Sequence, residues 1–277
     1  MSDSTKKPIV VAIDLDGTLL PETKKIPLLT CFYLRKLAKK GIQIVLASGR
    51  PSVAVQKYAN QIGSKAPTVS FNGAITDSIH DKNYPTFKRC FAKRTVKEIY
   101  RLAKEANLIE NMLVEDECNT WLLKQDKFLE KFFWINESKI HYGEIDETLH
   151  LDPLTVVFRL TETDNVAQKI AEVISKFPEI NFRVWRNQQY AEIYQGGSSK
   201  AEALRYVAKY YGISIEDMIA FGDASNDLEM LEEVGYGVAM LNSSDKIKAI
   251  AQRISVADCE HEGVRKTLKL ILKERNI

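Results

Sequence analysis

Short apolar runs alternate with helix-period stripes through the outer thirds of this chain. Residues 9–13 (IVVAI), 42–47, 68–71, 218–221 and 237–240 are mostly apolar, as expected of strands buried on both faces. Between them, 28–40, 51–61, Lys200–Tyr211, 227–233 and 264–274 read as helices; in Lys200–Tyr211 the apolar stripe is Ala203, Leu204, Val207, Ala208 and Tyr211. Gly41 and Gly212 stand where helix C-caps belong. Strand–helix alternation of this kind predicts the α/β class, with a parallel sheet covered by helices on both faces.

The middle of the chain has a different texture. From 83 to 186 aromatic residues accumulate, among them Trp121, Phe128, Phe132, Phe133, Trp134 and Trp185. Helical patterns at 96–106 and 166–177 alternate with strand patterns at 155–159 and 182–185, and no phosphate-type turn interrupts them. This stretch is expected to be a second, α+β domain inserted into the first. The expected division is 1–82 with 187–277 for the core and 83–186 for the insert.

Composition narrows the class without naming a chemistry. A chain of 277 residues that is 45% hydrophobic and 27% charged belongs with globular proteins. Its formal net charge of +2 gives no footprint for nucleic acid, and the basic group Lys88, Arg89, Lys93 and Arg94 reads as a solvated face. Lys6 and Lys7 precede an apolar run that reaches Asp14 far too soon for a secretory core, and no stretch approaches a membrane span. Cys31, Cys90, Cys118 and Cys259 lack CxxC spacing, and the histidines lack HExxH spacing. Free, mostly buried thiols in a reducing cytoplasm are therefore expected, with neither zinc nor a cysteine nucleophile.

Candidate chemistry gathers at the carboxyl ends of the strands, where open parallel sheets bind ligands. The first strand runs into DLDGTLL, placing Asp14 and Asp16 two residues apart. Carboxylates that close repel, so a cation is expected beside them. The strand at 42–47 leads into Ser48-Gly49-Arg50 and then a helix, a hydroxyl and backbone N–H groups suited to an anion. Lys200 opens a helix after Gly196-Gly197-Ser198-Ser199, where its charge opposes the helix dipole unless an anion meets it. The strand at 218–221 leads into GDASND, with Asp223, Asn226 and Asp227. Asp14, Asp16 and Asp223 supply hard oxygens of the kind that magnesium takes. Taken singly, SGR is ordinary loop chemistry, and GDxxND is often only a helix cap on Asp223 or Ser225. DxDGT and the ordered set of four are far more specific.

Together DLDGTLL, ASGR, Lys200 and GDASNDLEML resemble the four motifs of the haloacid dehalogenase superfamily. The long insert, FNGA at 71–74, GVAMLNS at 237–243 and EHEGV at 260–264 resemble its Cof-like branch of sugar-phosphate phosphatases. Ser48 stands where that family often has threonine, and Ala201 where the branch often has glycine. The resemblance implies a Rossmann-like parallel-sheet core with an inserted α+β cap. It also implies magnesium-dependent phosphoryl transfer through an aspartyl phosphate. Asp14 would be the nucleophile and Asp16 the general acid and base. The metal would rest on Asp14, Asp223 and the backbone carbonyl of Asp16. Phosphate contacts would come from Leu15, Ser48, Gly49, Lys200 and Asn226, with Asp227 behind them orienting Lys200 or a metal-bound water. Asn72 either reaches the substrate or merely forms an Asn-Gly turn. The expected partner is a small phosphorylated metabolite, chosen by the insert, with no nucleic acid and no membrane, and the protein is expected to be a monomer or weak homo-oligomer. A phosphomutase on the same core, or a non-enzymatic phospho-acceptor or sensor, remains an alternative reading.

Overall fold

Val10–Ile13 is completely buried and pairs in parallel with Gln43–Leu46 on one side and Ile219–Gly222 on the other. Tyr236–Ala239 and Arg253–Ile254 extend the sheet beyond Ile219–Gly222, giving five parallel strands. The computed structural model describes residues 7–132, 139–185 and 189–277. Side chains alternate across each strand, and both faces are covered. Val11 and Ile13 pack with Leu34, Leu37, Tyr58, Leu268 and Ile271 of the helices Leu28–Lys39, Ser52–Gln61 and Gly263–Glu274. Val10 and Ala12 face the other way, onto Ala203, Leu204, Val207, Met230 and Leu231 of Lys200–Tyr211 and Leu228–Glu233. Double coverage explains why these strands read as unbroken apolar runs, and the α/β expectation is met.

Chain order makes Val10–Ile13 a switch point. The chain leaves it toward Gln43–Leu46 on one side and returns to Ile219–Gly222 on the other. Loops after these three strands therefore diverge from a common edge, as in doubly wound sheets that bind ligands there. Two local expectations are adjusted. The strand at 68–71 stops at Ser70, because Phe71 turns into a left-handed conformation. The helix expected from 51 begins at Ser52 with Pro51 as its cap, so Ser48 and Gly49 lie in a loop and not at a helix N-terminus.

The chain divides into two compact units, one of residues 1–87 with 199–277 and the other Lys88–Ser198. The second unit has a six-stranded sheet in the order Ile180–Val184, Tyr190–Gln195, Thr155–Leu160, Ile109–Glu115, Asn119–Leu122, Lys139–Tyr142. Only the last pair is parallel. Its limits differ from 83–186 because Tyr190–Gln195 hydrogen-bonds into this sheet; the expected boundary at Arg186 lies outside the described residues. Val96, Ile99, Tyr100 and Ile170, from Lys93–Glu105 and Val166–Ile174, pack on Met112, Val114, Val156 and Phe158. Trp121 is core, Phe128 is exposed and stacks on Tyr190, and Phe133 and Trp134 lie outside the described residues. The cysteines are free, yet Cys118 is exposed and the other three are only half-buried, which corrects the expectation of mostly buried thiols.

Glu115 ends its strand fully buried; one carboxyl oxygen accepts from the Thr120 hydroxyl at 3.2 Å and the other has no partner among the described residues. Burial holds this carboxyl well above its ordinary 4.5, with Asp116 adding to the shift and Thr120 opposing it. The folded chain thus keeps a proton that the unfolded chain releases, and stability falls as pH rises from the ordinary value toward the raised one. Glu115→Gln removes this dependence. In urea melts, the variant should gain on the wild type as pH rises from the ordinary carboxylate range through neutrality. A difference that stays constant across that range would contradict the assignment.

Candidate active site

Asp14 follows Ile13 directly, and its backbone N–H donates to the Phe221 carbonyl at 3.0 Å, so the sheet edge itself fixes its place. The chain then folds back in a tight loop, with Leu20 N donating to Leu15 O at 2.7 Å and Leu19 N to Asp14 O at 3.2 Å. Gly17 sits at φ +83°, and a Cβ there would stand 2.5 Å from Asp223 Oδ2. Thr18 Oγ1 donates to Asp223 Oδ1 at 2.8 Å. The glycine and threonine of DxDGT thus shape the seat of a carboxylate some 200 positions downstream, a pairing that the short motif alone does not reveal. Leu15 buries its side chain completely.

Lys200 is the electrostatic centre. It is fully buried at the first position of its helix, and Nζ donates to Asp14 Oδ1 at 2.5 Å and to Asp227 Oδ1 at 2.6 Å. Burial alone would lower the lysine, but the Asp14 and Asp227 carboxylates overrule it and hold the ammonium above its ordinary range. The other oxygen of Asp227 accepts from the N–H groups of Asp223 and Ala224 at 3.0 and 3.1 Å. It is this carboxylate, rather than Asp223 or Ser225, that ties down the turn. Gly222 is required beside it, since a Cβ there would lie 2.5 Å from the Asp227 Cβ.

Oxygens of Asp14, Asp223 and Asp227 all lie within 4.8 Å of one another. Burial holds the Asp14 carboxyl well above the carboxylate range; Lys200 pulls it back, while Asp227 and Asp223 push it up again. Three carboxylates face one ammonium, so the cluster carries more negative charge than its own lysine balances. This hard-oxygen set fits a divalent cation. Asp227, expected behind the metal ligands to orient Lys200 or a metal-bound water, accepts from Lys200, and one of its oxygens lies within the same acidic cluster.

Asp16 occupies a different environment. Its carboxylate accepts from Arg50 Nε at 2.6 Å, from the terminal guanidinium nitrogen at 2.7 Å and from Lys24 Nζ at 2.7 Å. Burial alone would raise this carboxyl, but Arg50 and Lys24 hold it below its ordinary range. Among the described residues its side chain is not in the acidic cluster, so any part in holding a metal falls to its backbone. Lys24 carried no signal in the sequence, and Arg50 turns its fork onto Asp16. Ser48 is buried, and its hydroxyl accepts from Arg50 N at 3.2 Å. Gly49 lies against the Asn72 carboxamide, and Asn226 Nδ2 donates to Asn72 Oδ1 at 2.9 Å.

A parallel sheet with acidic and basic side chains converging at its switch point defines an α/β enzyme core that handles anions. Residues 11–268 match the model of the haloacid dehalogenase-like hydrolases, and the chain belongs to that family. It is 32% identical to a 5-amino-6-(5-phospho-D-ribitylamino)uracil phosphatase of Bacillus subtilis, over 95% of this chain and 97% of the relative. A haloacid dehalogenase-like hydrolase from Bacteroides thetaiotaomicron superposes with a TM-score of 0.80 at 25% identity, covering 96% and 100% of the two chains. A subclass IIB sugar phosphatase of the superfamily shares the fold at a TM-score of 0.78 and 22% identity, covering 95% and 98%. The protein is a phosphatase of the haloacid dehalogenase type, a family whose members generally use a divalent metal.

Removing the ammonium while leaving its carboxylates should be severe. Lys200→Met is expected to destabilise the fold by about 3–5 kcal/mol in chelator-containing buffer, the usual cost of stripping one partner from a buried pair. Urea melts measure it. A loss below about 1 kcal/mol would mean that shared protons, not Lys200, balance the carboxylates.

Proposed function

We propose that this protein is a magnesium-dependent phosphatase of small phosphorylated metabolites, sugar or sugar-alcohol phosphates, acting through a phosphoryl group carried on Asp14. The buried ion cluster carries this reading: Asp14 is held at the end of the interior strand by Phe221 and Lys200, facing Asp223 and Asp227. Carboxylates can form such covalent intermediates. Asp14 and Asp223, with the Asp16 carbonyl, would hold the metal, and Asp227 belongs to the same acidic cluster. When bound, magnesium supplies the positive charge that masks repulsion between a carboxylate and a phosphate dianion.

The remaining work falls to side chains and backbone. Asp14 attacks phosphorus in line with the departing alkoxide, and Asp16 gives that alkoxide a proton. Asp16 then takes a proton from the water that opens the acyl phosphate. To act in either sense it must exchange at least one hydrogen bond from Arg50 or Lys24 for the reacting oxygen. Lys200, Ser48, the N–H groups of Leu15 and Gly49, and Asn226 hold the phosphoryl oxygens, where positioning and charge dominate over covalent assistance. The Bacillus subtilis relative is named for a phosphorylated ribityl chain, and that ester joins hexose and pentose phosphates as a substrate to test. Four free thiols suit a reducing cytoplasm.

Asp14→Asn should abolish release of inorganic phosphate from every ester while the protein stays folded, because an amide cannot attack. Asp16→Asn should lose most activity at both steps. Near-normal turnover by the Asp14 variant would overturn the covalent route. The wild type should need magnesium, stop with a strong chelator and slow in calcium, which prefers more ligands at longer distances. Full activity after thorough chelation would remove the metal from the reading.

A further inference from the structure

The turn after Thr68–Ser70 adopts a backbone that an ordinary strand end does not need. Phe71 and Asn72 both lie in the left-handed region, at φ 49° and 54°, and Gly73 follows at 100°. Asparagine tolerates that region through its short polar side chain, while an aromatic residue rarely enters it. Such strain persists only where the surroundings over-determine it, and it concentrates at functional sites. Here two loops enforce it. Phe71 N donates to Arg50 O and Asn72 N to Ser48 O, each at 3.0 Å. Behind the turn, a Cβ on Gly73 would stand 2.1 Å from the Ser199 carbonyl oxygen. The turn is thereby bolted to the Ser48–Arg50 loop and pressed against the start of the Lys200 helix.

The Asn72 carboxamide fills what lies between. It is only 9% exposed. A Cβ on Gly49 would come within 2.9 Å of its Nδ2, and its Oδ1 accepts from Asn226. One side chain thus touches two loops read above as holding phosphoryl oxygens, and the adjoining backbone touches the third. A turn whose sole task is to end a strand needs none of these contacts. We infer that Asn72 is a positioning residue of the phosphate cradle, spacing Gly49 and fixing the plane of the Asn226 carboxamide toward the transferring group. This rests on the phosphatase reading.

A double-mutant cycle tests it, with para-nitrophenyl phosphate as substrate and orthophosphate as competitive inhibitor. Asn72→Gly keeps the left-handed turn, which glycine adopts freely, and deletes the carboxamide. It should lower kcat/KM by about 10–100-fold, the scale for groups that orient a contacting residue, and weaken orthophosphate inhibition by a similar factor. Combined with Asn226→Ala, it should lose at most about threefold more than the worse single variant, because the two act as one unit. Additive losses would overturn the inference, as would an Asn72→Gly protein that melts earlier but keeps wild-type kcat/KM and inhibition. If Asn72→Gly does not fold, Gly49→Ala displaces the same carboxamide with residue 72 intact. Unchanged orthophosphate inhibition in that variant overturns the inference equally. A wild type that neither cleaves phosphate esters nor responds to orthophosphate overturns the phosphatase reading and this inference with it. Failure of the cycle in an active wild type overturns the inference alone.

Discussion

A lysine ammonium with no access to solvent is tolerable only where anions surround it, and Lys200 meets that condition with Asp14 and Asp227 at 2.5 and 2.6 Å. An unpaired buried ion costs several kcal/mol even after relaxation. Its position at a helix start adds to the difficulty, since the dipole there already repels cations. The three partners come from the end of the first strand, the start of the helix Lys200–Tyr211 and the turn after Ile219–Gly222. Bringing them together requires Val10–Ile13 and Ile219–Gly222 to be neighbours. The sheet order and the ion cluster are thus two expressions of one constraint.

Close packing around the cluster explains the small residues nearby. Gly17 leaves room for the Asp223 carboxylate and Gly222 for the Asp227 side chain; a methyl group at either would collide at 2.5 Å. Backbone N–H groups of Asp223 and Ala224 are spent on Asp227, which locks the turn and leaves its other oxygen for Lys200. Asp14, Asp223 and Asp227 are held by directional bonds from Lys200, Thr18 and the backbone of the turn after Ile219–Gly222. A site preorganised in this way need not rearrange as charge moves, which is the main source of electrostatic catalysis.

Pattern along the chain was enough to find the strands, because double burial writes itself as apolar runs such as IVVAI. It also exposed Asp14, Asp16, Lys200 and Asp223, because charged residues at the ends of such runs, or on the wrong end of a helix, contradict their local setting. Partners chosen by distant chain segments were not legible. Arg50 and Lys24 converge on Asp16 across 34 and 8 positions, and neither spacing has a periodic signature. Asp227 is expected to orient Lys200 or a metal-bound water, but its second use, holding the backbone of its own turn, exists only in three dimensions. The strand Tyr190–Gln195 fell outside the expected insert because no strand is expected at YAEIYQ, and its pairing with Thr155–Leu160 and Ile180–Val184 exists only in the fold.

Asp14 and Asp16 stand two residues apart, and their surroundings drive them in opposite directions. Burial raises Asp14, while Arg50 and Lys24 hold Asp16 low against burial. Divergent pairs of this kind mark acid and base assignments in enzymes, but the roles proposed here call for the reverse of each shift. A nucleophile must be ionised, and Lys200 at 2.5 Å works toward that from the start. An acid must hold a proton, and Asp16 cannot while two cations grip its carboxylate. A leaving-group oxygen that displaces Arg50 or Lys24 removes the interaction that depresses Asp16 and presents the proton acceptor in the same movement. Proton transfer is then conditional on a correctly seated ester: with a cation displaced, Asp16 takes up a proton from solvent, passes it to the departing alkoxide, and is left ionised for the second step, proton removal from water.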